Sequence, residues 1–150
     1  MPTTITPYLG FPGKTREAFG FYQRALGGDI KAMLRFADMP PSGARTEGCP
    51  DGMKPDPEAI MHACLVLPGG AMLFGGDAPP GVPHEGIKGC MLAVQYDTID
   101  EAQGAFHALS QGAQVTMPLA PTFWAKTFGM LTDRYGVSWG ISGEPTAVPA

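Results

Sequence analysis

The chain has 150 residues, 44% of them hydrophobic, with a formal net charge of −4 and three cysteines. That length and apolar content suffice for one ordinary domain with its own core. The acidic balance offers no basic stripe of the kind that nucleic-acid backbones and anionic membranes attract. Cys49, Cys64 and Cys90 are widely spaced and odd in number, so neither a disulfide framework nor a paired-cysteine metal knuckle is expected. No apolar run approaches the roughly 20 residues that cross a bilayer. The opening MPTTITPYLGF lacks the basic and apolar regions of an export signal. The expectation is a cytoplasmic protein with reduced thiols and with neither nucleic acid nor membrane as partner.

Ile5 to Phe11 reads as a strand, and Pro7 within it argues for an edge position or an irregular start, because proline cannot donate to a ladder. Thr15 has the chemistry of an N-cap. The run that follows places Ala18, Phe19, Phe21, Tyr22, Ala25 and Leu26 at the i, i+3, i+4 spacings of an amphipathic helix, and Gly27 supplies the stop. Ile30 to Phe36, Ile60 to Leu67 and Ala71 to Gly75 are short and β-compatible, the last two joined by the turn Pro68-Gly69-Gly70. The first half therefore reads βαβββ.

After the Gly/Pro-rich stretch Asp77 to Gly89 the order repeats, with strand Cys90 to Tyr96, helix Asp100 to Gln111 and stop Gly112. An offset of 85 pairs Phe11 with Tyr96, Thr15 with Asp100, Phe21 with Phe106, Gly27 with Gly112 and Ile30 with Val115. Near the end of each half the offset is 66, pairing Gly70-Ala71-Met72-Leu73 with Gly136-Val137-Ser138-Trp139. The drop locates an insertion at Asp38 to Glu58, too long and too rich in proline and glycine for a plain hairpin turn. It is a candidate lid or dimer arm.

The predicted fold class is α+β. Two βαβββ modules form curved mixed sheets around a cavity, with the helices on the outer face, because a lone four-stranded sheet cannot bury both of its faces. The chain is read as a single domain, 1–150. Module one runs from about 5 to 77 with the inserted loop 38–58, and module two from about 88 to 143.

Several segments carry a family resemblance: PYLGF at the N-terminus, the helix text AFGFYQRALGG, GCPDGM at 48–53, and Ile60-Met61-His62-Ala63. Thr122-Phe123-Trp124-Ala125 and TDRYGVSW at 132–139 continue it. Together they resemble the PhnB-like branch of the vicinal-oxygen-chelate superfamily, which includes glyoxalase I, the bleomycin- and fosfomycin-resistance proteins and the extradiol dioxygenases. The likeness spans nearly the whole chain. Some neighbours of this branch carry a demethylubiquinone-methyltransferase label, but no strand-GxGxxG-helix pattern is present to cradle a nucleotide-derived cofactor.

The resemblance implies a homodimer and, in metal-dependent members, four cavity-facing ligand positions filled by His, Gln or Glu. In this chain those positions become Thr6, Phe74, Met91 and Gly140. None is a side chain that a Zn²⁺, Ni²⁺ or Mn²⁺ site chooses, so no metal and no cofactor are expected. If these positions face inward, a period of two adds Tyr8, Met72, Ala93, Gln95 and Ser138 to the lining. An apolar pocket with a few polar tips suits a small molecule, and equally suits a filled interior.

His62 is the only candidate for catalysis, as an acid, a base or a hydrogen-bond donor near neutral pH. The alternative is a histidine satisfied by a backbone carbonyl at a strand end. Tyr8, His62, Phe74, Gln95 and Trp124 are the expected ligand-binding residues, with Trp124 and Phe123 as an aromatic wall or, alternatively, as packing. His84 and His107 read as solvated, Cys49 as incidental, and Asp133 with Arg134 as turn residues. The functional expectation is a metal-independent small-molecule-binding protein of glyoxalase-like fold. A metal-dependent lyase, isomerase or dioxygenase of the same superfamily is the alternative.

Overall fold

The computed structural model of the chain describes residues 3–38, 56–78 and 86–146. They belong to two compact units, Met1–Glu85 and Gly86–Ala150. The first contains β1 (Tyr8–Phe11), α1 (Thr15–Leu26), β2 (Asp29–Arg35), a short 3₁₀ turn (Phe36–Asp38), β3 (Ile60–Val66) and β4 (Met72–Asp77). The second contains β5 (Leu92–Tyr96), α2 (Ile99–Leu109), β6 (Gln114–Ala120), β7 (Ala125–Thr132) and β8 (Ser138–Pro145). Each is a mixed four-stranded sheet, ordered β1-β4-β3-β2 in one and β5-β8-β7-β6 in the other. In both, the first strand runs parallel to the last and the remaining pairs are antiparallel. The βαβββ reading of each half is thus the observed one.

Strand alternation divides each sheet into a helix-covered face and an open face. In the first unit Leu9, Phe11, Ala63, Leu65 and Leu73 are buried together with Ala18, Phe19 and Tyr22 of α1. Phe11, Phe19 and Tyr22 pack their rings at 6.1–6.5 Å between centroids. Gly75 permits this approach, since a Cβ there would lie 2.6 Å from the Phe19 ring. In the second unit Leu131, Trp139 and Ile141 are buried with Ala102, Ala105 and Leu109 of α2. Gly129 makes the corresponding room, since a Cβ there would lie 2.8 Å from the Phe106 ring. Burying one fully apolar side chain contributes about 1.5–3 kcal/mol, so these helix-facing rows are the main source of each unit's stability.

Three local readings need correction. β1 starts at Tyr8 rather than Ile5, and Pro7 lies just outside it, its carbonyl accepting from the Phe74 N–H at 3.0 Å. The strand is nevertheless an edge strand, the position proline tolerates. Thr15 is not the N-cap of α1. Lys14 holds that place without a side-chain cap, and Thr15 donates its N–H to Asp77 Oδ1 at 3.0 Å. Asp77 Oδ2 also accepts from the Ile60 N–H at 2.8 Å. A carboxylate from β4 thus caps the helix and ties it to β3, a long-range cap that local sequence does not reveal. In the second unit the cap is Thr98 rather than Asp100, the residue that the repeat pairs with Thr15, and Thr98 Oγ1 accepts from the Glu101 N–H at 3.2 Å. α2 accordingly begins at Ile99 and ends at Leu109, short of Gln111.

Of the insertion, Asp38 and the residues from Asp56 onward are described, and GCPDGM lies outside the described residues. Its two ends are drawn together. Phe36 and Ala37 donate to Ala59 O and Pro57 O, and Arg35 bridges Asp38 and Glu58, each at 3.0 Å. The guanidinium holds the Asp38 carboxyl below the usual carboxylate range.

Candidate functional site: an open aromatic face

On the open face of the first sheet, Tyr8 of β1 stands opposite Phe74 of β4, and Phe74 opposite Cys64 of β3. His62, two residues before Cys64, shares that face and stands opposite Leu34 of β2. Three of the five expected ligand-binding residues therefore converge. His62 stacks on Tyr8 with centroids 5.8 Å apart at 29°, and meets Phe74 edge-on at 5.0 Å and 69°. Among the described residues no backbone carbonyl accepts a hydrogen bond from the imidazole ring, whose contacts are aromatic.

The wall has a tether. Tyr8 Oη donates to Met61 O at 2.9 Å, crossing β4 at Gly76, where a Cβ would lie 2.7 Å from both oxygens. Desolvation pushes the phenol above its ordinary pKa, although the residue as a whole is 55% exposed. The hydroxyl end is sheltered against Gly76 and Met61 while the rest of the ring stays open. Tyr8 thus remains a protonated donor at neutral pH. Leu34 and Met72, on the same face, are also more than a third exposed. The face is apolar, aromatic and accessible, and it carries the imidazole of His62.

Gln95 and Trp124 lie in the second unit. Gln95 of β5 stands opposite Ser142 of β8, and Ser142 opposite Phe128 of β7. Trp124 packs edge-on against Phe128 at 5.3 Å and against exposed Phe123 at 4.8 Å. Gln95 is exposed and Trp124 half-buried. Sequence reasoning missed Phe128, Ser142 and the Gly76 crossing. The doublet Gly75-Gly76 within a strand was a usable signal of close approach. His107 is exposed, whereas His84 and Cys49 lie outside the described residues.

The four positions that metal-dependent relatives would use do not fit a divalent ion. The Phe74 ring packs on His62, and Met91 lies over Gly140, its Sδ 3.1 Å from where a Cβ would be. Neither offers the nitrogen or oxygen donor such an ion takes. Among the described residues no three His, Cys, Asp or Glu side chains gather as a metal set.

Residues 7–141 match the model of the Glyoxalase/Bleomycin resistance protein/Dioxygenase superfamily. The chain belongs to this superfamily. The Escherichia coli K12 protein YjdN is 32% identical over 139 residues, covering 92% of this chain and 93% of that protein. Among solved structures, Pseudomonas aeruginosa PA1353 is 44% identical with a TM-score of 0.82, covering 95% of this chain and 98% of that one. A Bacillus cereus PhnB protein, described as a putative 3-demethylubiquinone-9 3-methyltransferase, is 28% identical with a TM-score of 0.71, covering 94% and 99%. The chain is thus glyoxalase-like in family and fold, with PhnB-like relatives. No helix among the described residues is long and apolar enough to cross a membrane.

Proposed function

We propose that this superfamily member binds a small, partly apolar molecule on the open face of its first sheet, without a divalent metal. The observation that carries the reading is the Tyr8–His62–Phe74 wall, with ring centroids 5.0 and 5.8 Å apart and no hydrogen bond from His62 to a backbone carbonyl among the described residues. Aromatic side chains left on an open face offer a ligand both area and π-contacts of about 0.5–1.5 kcal/mol each beyond burial. Gln95 and Trp124, in the second unit, present a polar and an aromatic group of their own and are not needed for this reading. The nitrogen- and oxygen-poor set Thr6, Phe74, Met91 and Gly140 supports metal independence.

The exposed apolar groups Ile5, Val115 and Phe123, which are not part of that wall, favour a homodimer in which a second copy shelters them. Free Cys64 and Cys90 suit a reducing, cytoplasmic setting.

The reading is tested by a thermal-shift screen of small aromatic compounds against the purified protein. A compound binding at a hundred times its Kd stabilises by about 2.7 kcal/mol. The reading expects at least one such stabiliser, whose effect is lost in His62→Ala and Phe74→Ala. A screen without any stabiliser up to millimolar concentration contradicts it.

A further inference from the structure

A second site lies in the other unit, and its donors are sulfur. Cys90, Met91 and Met130 line one cavity of about 300 Å³ beside the open face of β7 and β8. Cys90 is a free, exposed thiol on the segment entering β5, and Met91 is 43% exposed. Met130 stands directly opposite Gly140 across the β7–β8 pair, so its Cβ lies about 5 Å from the point where a Gly140 Cβ would be. Met91 Sδ is 3.1 Å from that same point. The atoms nearest that point are the Met91 methyl and Sδ and the Phe128 ring at 3.5 Å, and the unbranched, flexible Met130 side chain has the length to turn its thioether toward Met91. The hydroxyls of Thr132 and Ser138, which also line the cavity, are 3.3 Å apart and engage each other.

We propose that Cys90, Met91 and Met130 form a binding site for a soft monovalent cation, Cu(I) or its analogue Ag(I). One thiolate and two thioethers are a donor set suited to a soft monovalent ion; Mn²⁺ and Mg²⁺ take oxygen donors, and Zn²⁺ takes thiolate and imidazole rather than thioether. Binding releases the Cys90 thiol proton to solvent as the Cu–S bond forms, and the copper stays Cu(I) throughout. Of the three donors, only Met91 occupies one of the four positions that metal-dependent relatives use. The proposal is independent of small-molecule binding on the first sheet.

The test is anaerobic competition for Cu(I) against a chromogenic chelator, using the full chain carrying Cys49→Ser so that this second thiol does not compete. The expected result is one equivalent of Cu(I), abolished by Cys90→Ser. Met91→Leu and Met130→Leu keep the side-chain volume but remove a donor, and should each weaken binding by at least the roughly tenfold that loss of an outer-shell partner costs. Circular dichroism and Tm, unchanged in each variant, show that folding is intact. Retention of the parent's affinity by both leucine variants, or loss of binding with Cys64→Ser instead of Cys90→Ser, overturns the proposal, as does an absence of stoichiometric binding.

Discussion

The Tyr8 hydroxyl lies 2.9 Å from the carbonyl oxygen of Met61, a bond that crosses β4 over the bare backbone of Gly76. It joins the edge strand to β3 one residue before His62, and so fixes the ring on which the imidazole stacks. Gly76→Ala places a methyl group 2.7 Å from both oxygens and must break this tether. We expect a loss of about 1–3 kcal/mol, typical of overpacking. Tyr8→Phe removes only the hydrogen bond and should cost about 0.5–1.5 kcal/mol. Urea unfolding of the two variants tests the order, and an unaffected Gly76→Ala protein would show that the crossing is not constrained.

The same hydroxyl sets an alkaline response. Its pKa is raised in the folded state by desolvation, so the contribution of the neutral phenol is complete below the unfolded tyrosine value of about 10. It is lost as pH rises through the higher folded value. Tyr96, raised by burial and then by Glu101, adds in the same direction. Stability should therefore fall above about pH 10, and less steeply in Tyr8→Phe. Equal slopes for the wild-type and variant proteins in thermal melts across that range would contradict this.

Asp77 is expected to be the most sensitive polar position of the first unit. Its two carboxylate oxygens serve the N–H groups of Thr15 and Ile60, and Asp77→Ala leaves both donors without their acceptor. The cost should be about 2–4 kcal/mol, summing a lost cap and an unsatisfied donor. Asp77→Asn retains one acceptor oxygen and should fall between wild type and alanine. Chemical denaturation of the three proteins decides the order.

How much of this was legible in the sequence follows from the range of each interaction. The repeat at an offset of 85 and the glycine stops revealed both modules, because helix periodicity and helix ends are written locally. Phe74 was placed on the lining by the family resemblance and Tyr8 by strand alternation from it, while His62 was singled out for its chemistry, and the observed register brings the three together. The cap of α1 was not legible, since its acceptor, Asp77, lies 62 residues beyond Thr15. The Tyr8–Met61 tether spans 53 residues and was hidden for the same reason. Boundaries slipped at Tyr8 and Thr98, where proline and a capping hydroxyl decide the ends more finely than apolar spacing does.

Substitutions at His62 separate a wall from an acid–base group. If the imidazole serves as an aromatic surface, His62→Phe keeps ligand affinity within a few-fold, whereas His62→Ala loses about 0.5–1.5 kcal/mol or more of binding. Calorimetric titration with a compound identified by the thermal-shift screen checks this. Loss of affinity with phenylalanine equal to that with alanine would assign the ring nitrogens, rather than the ring face, to the ligand.

The most direct test of the central claim is the thermal shift that such a compound produces before and after exhaustive chelation and dialysis, in wild type and in His62→Ala. The account predicts the same stabilisation with and without chelation in the wild-type protein, and its loss in the variant. A shift that disappears on chelation and returns with Zn²⁺, Ni²⁺ or Mn²⁺ would contradict it, and would move the chain to the metal-dependent enzymes of its superfamily.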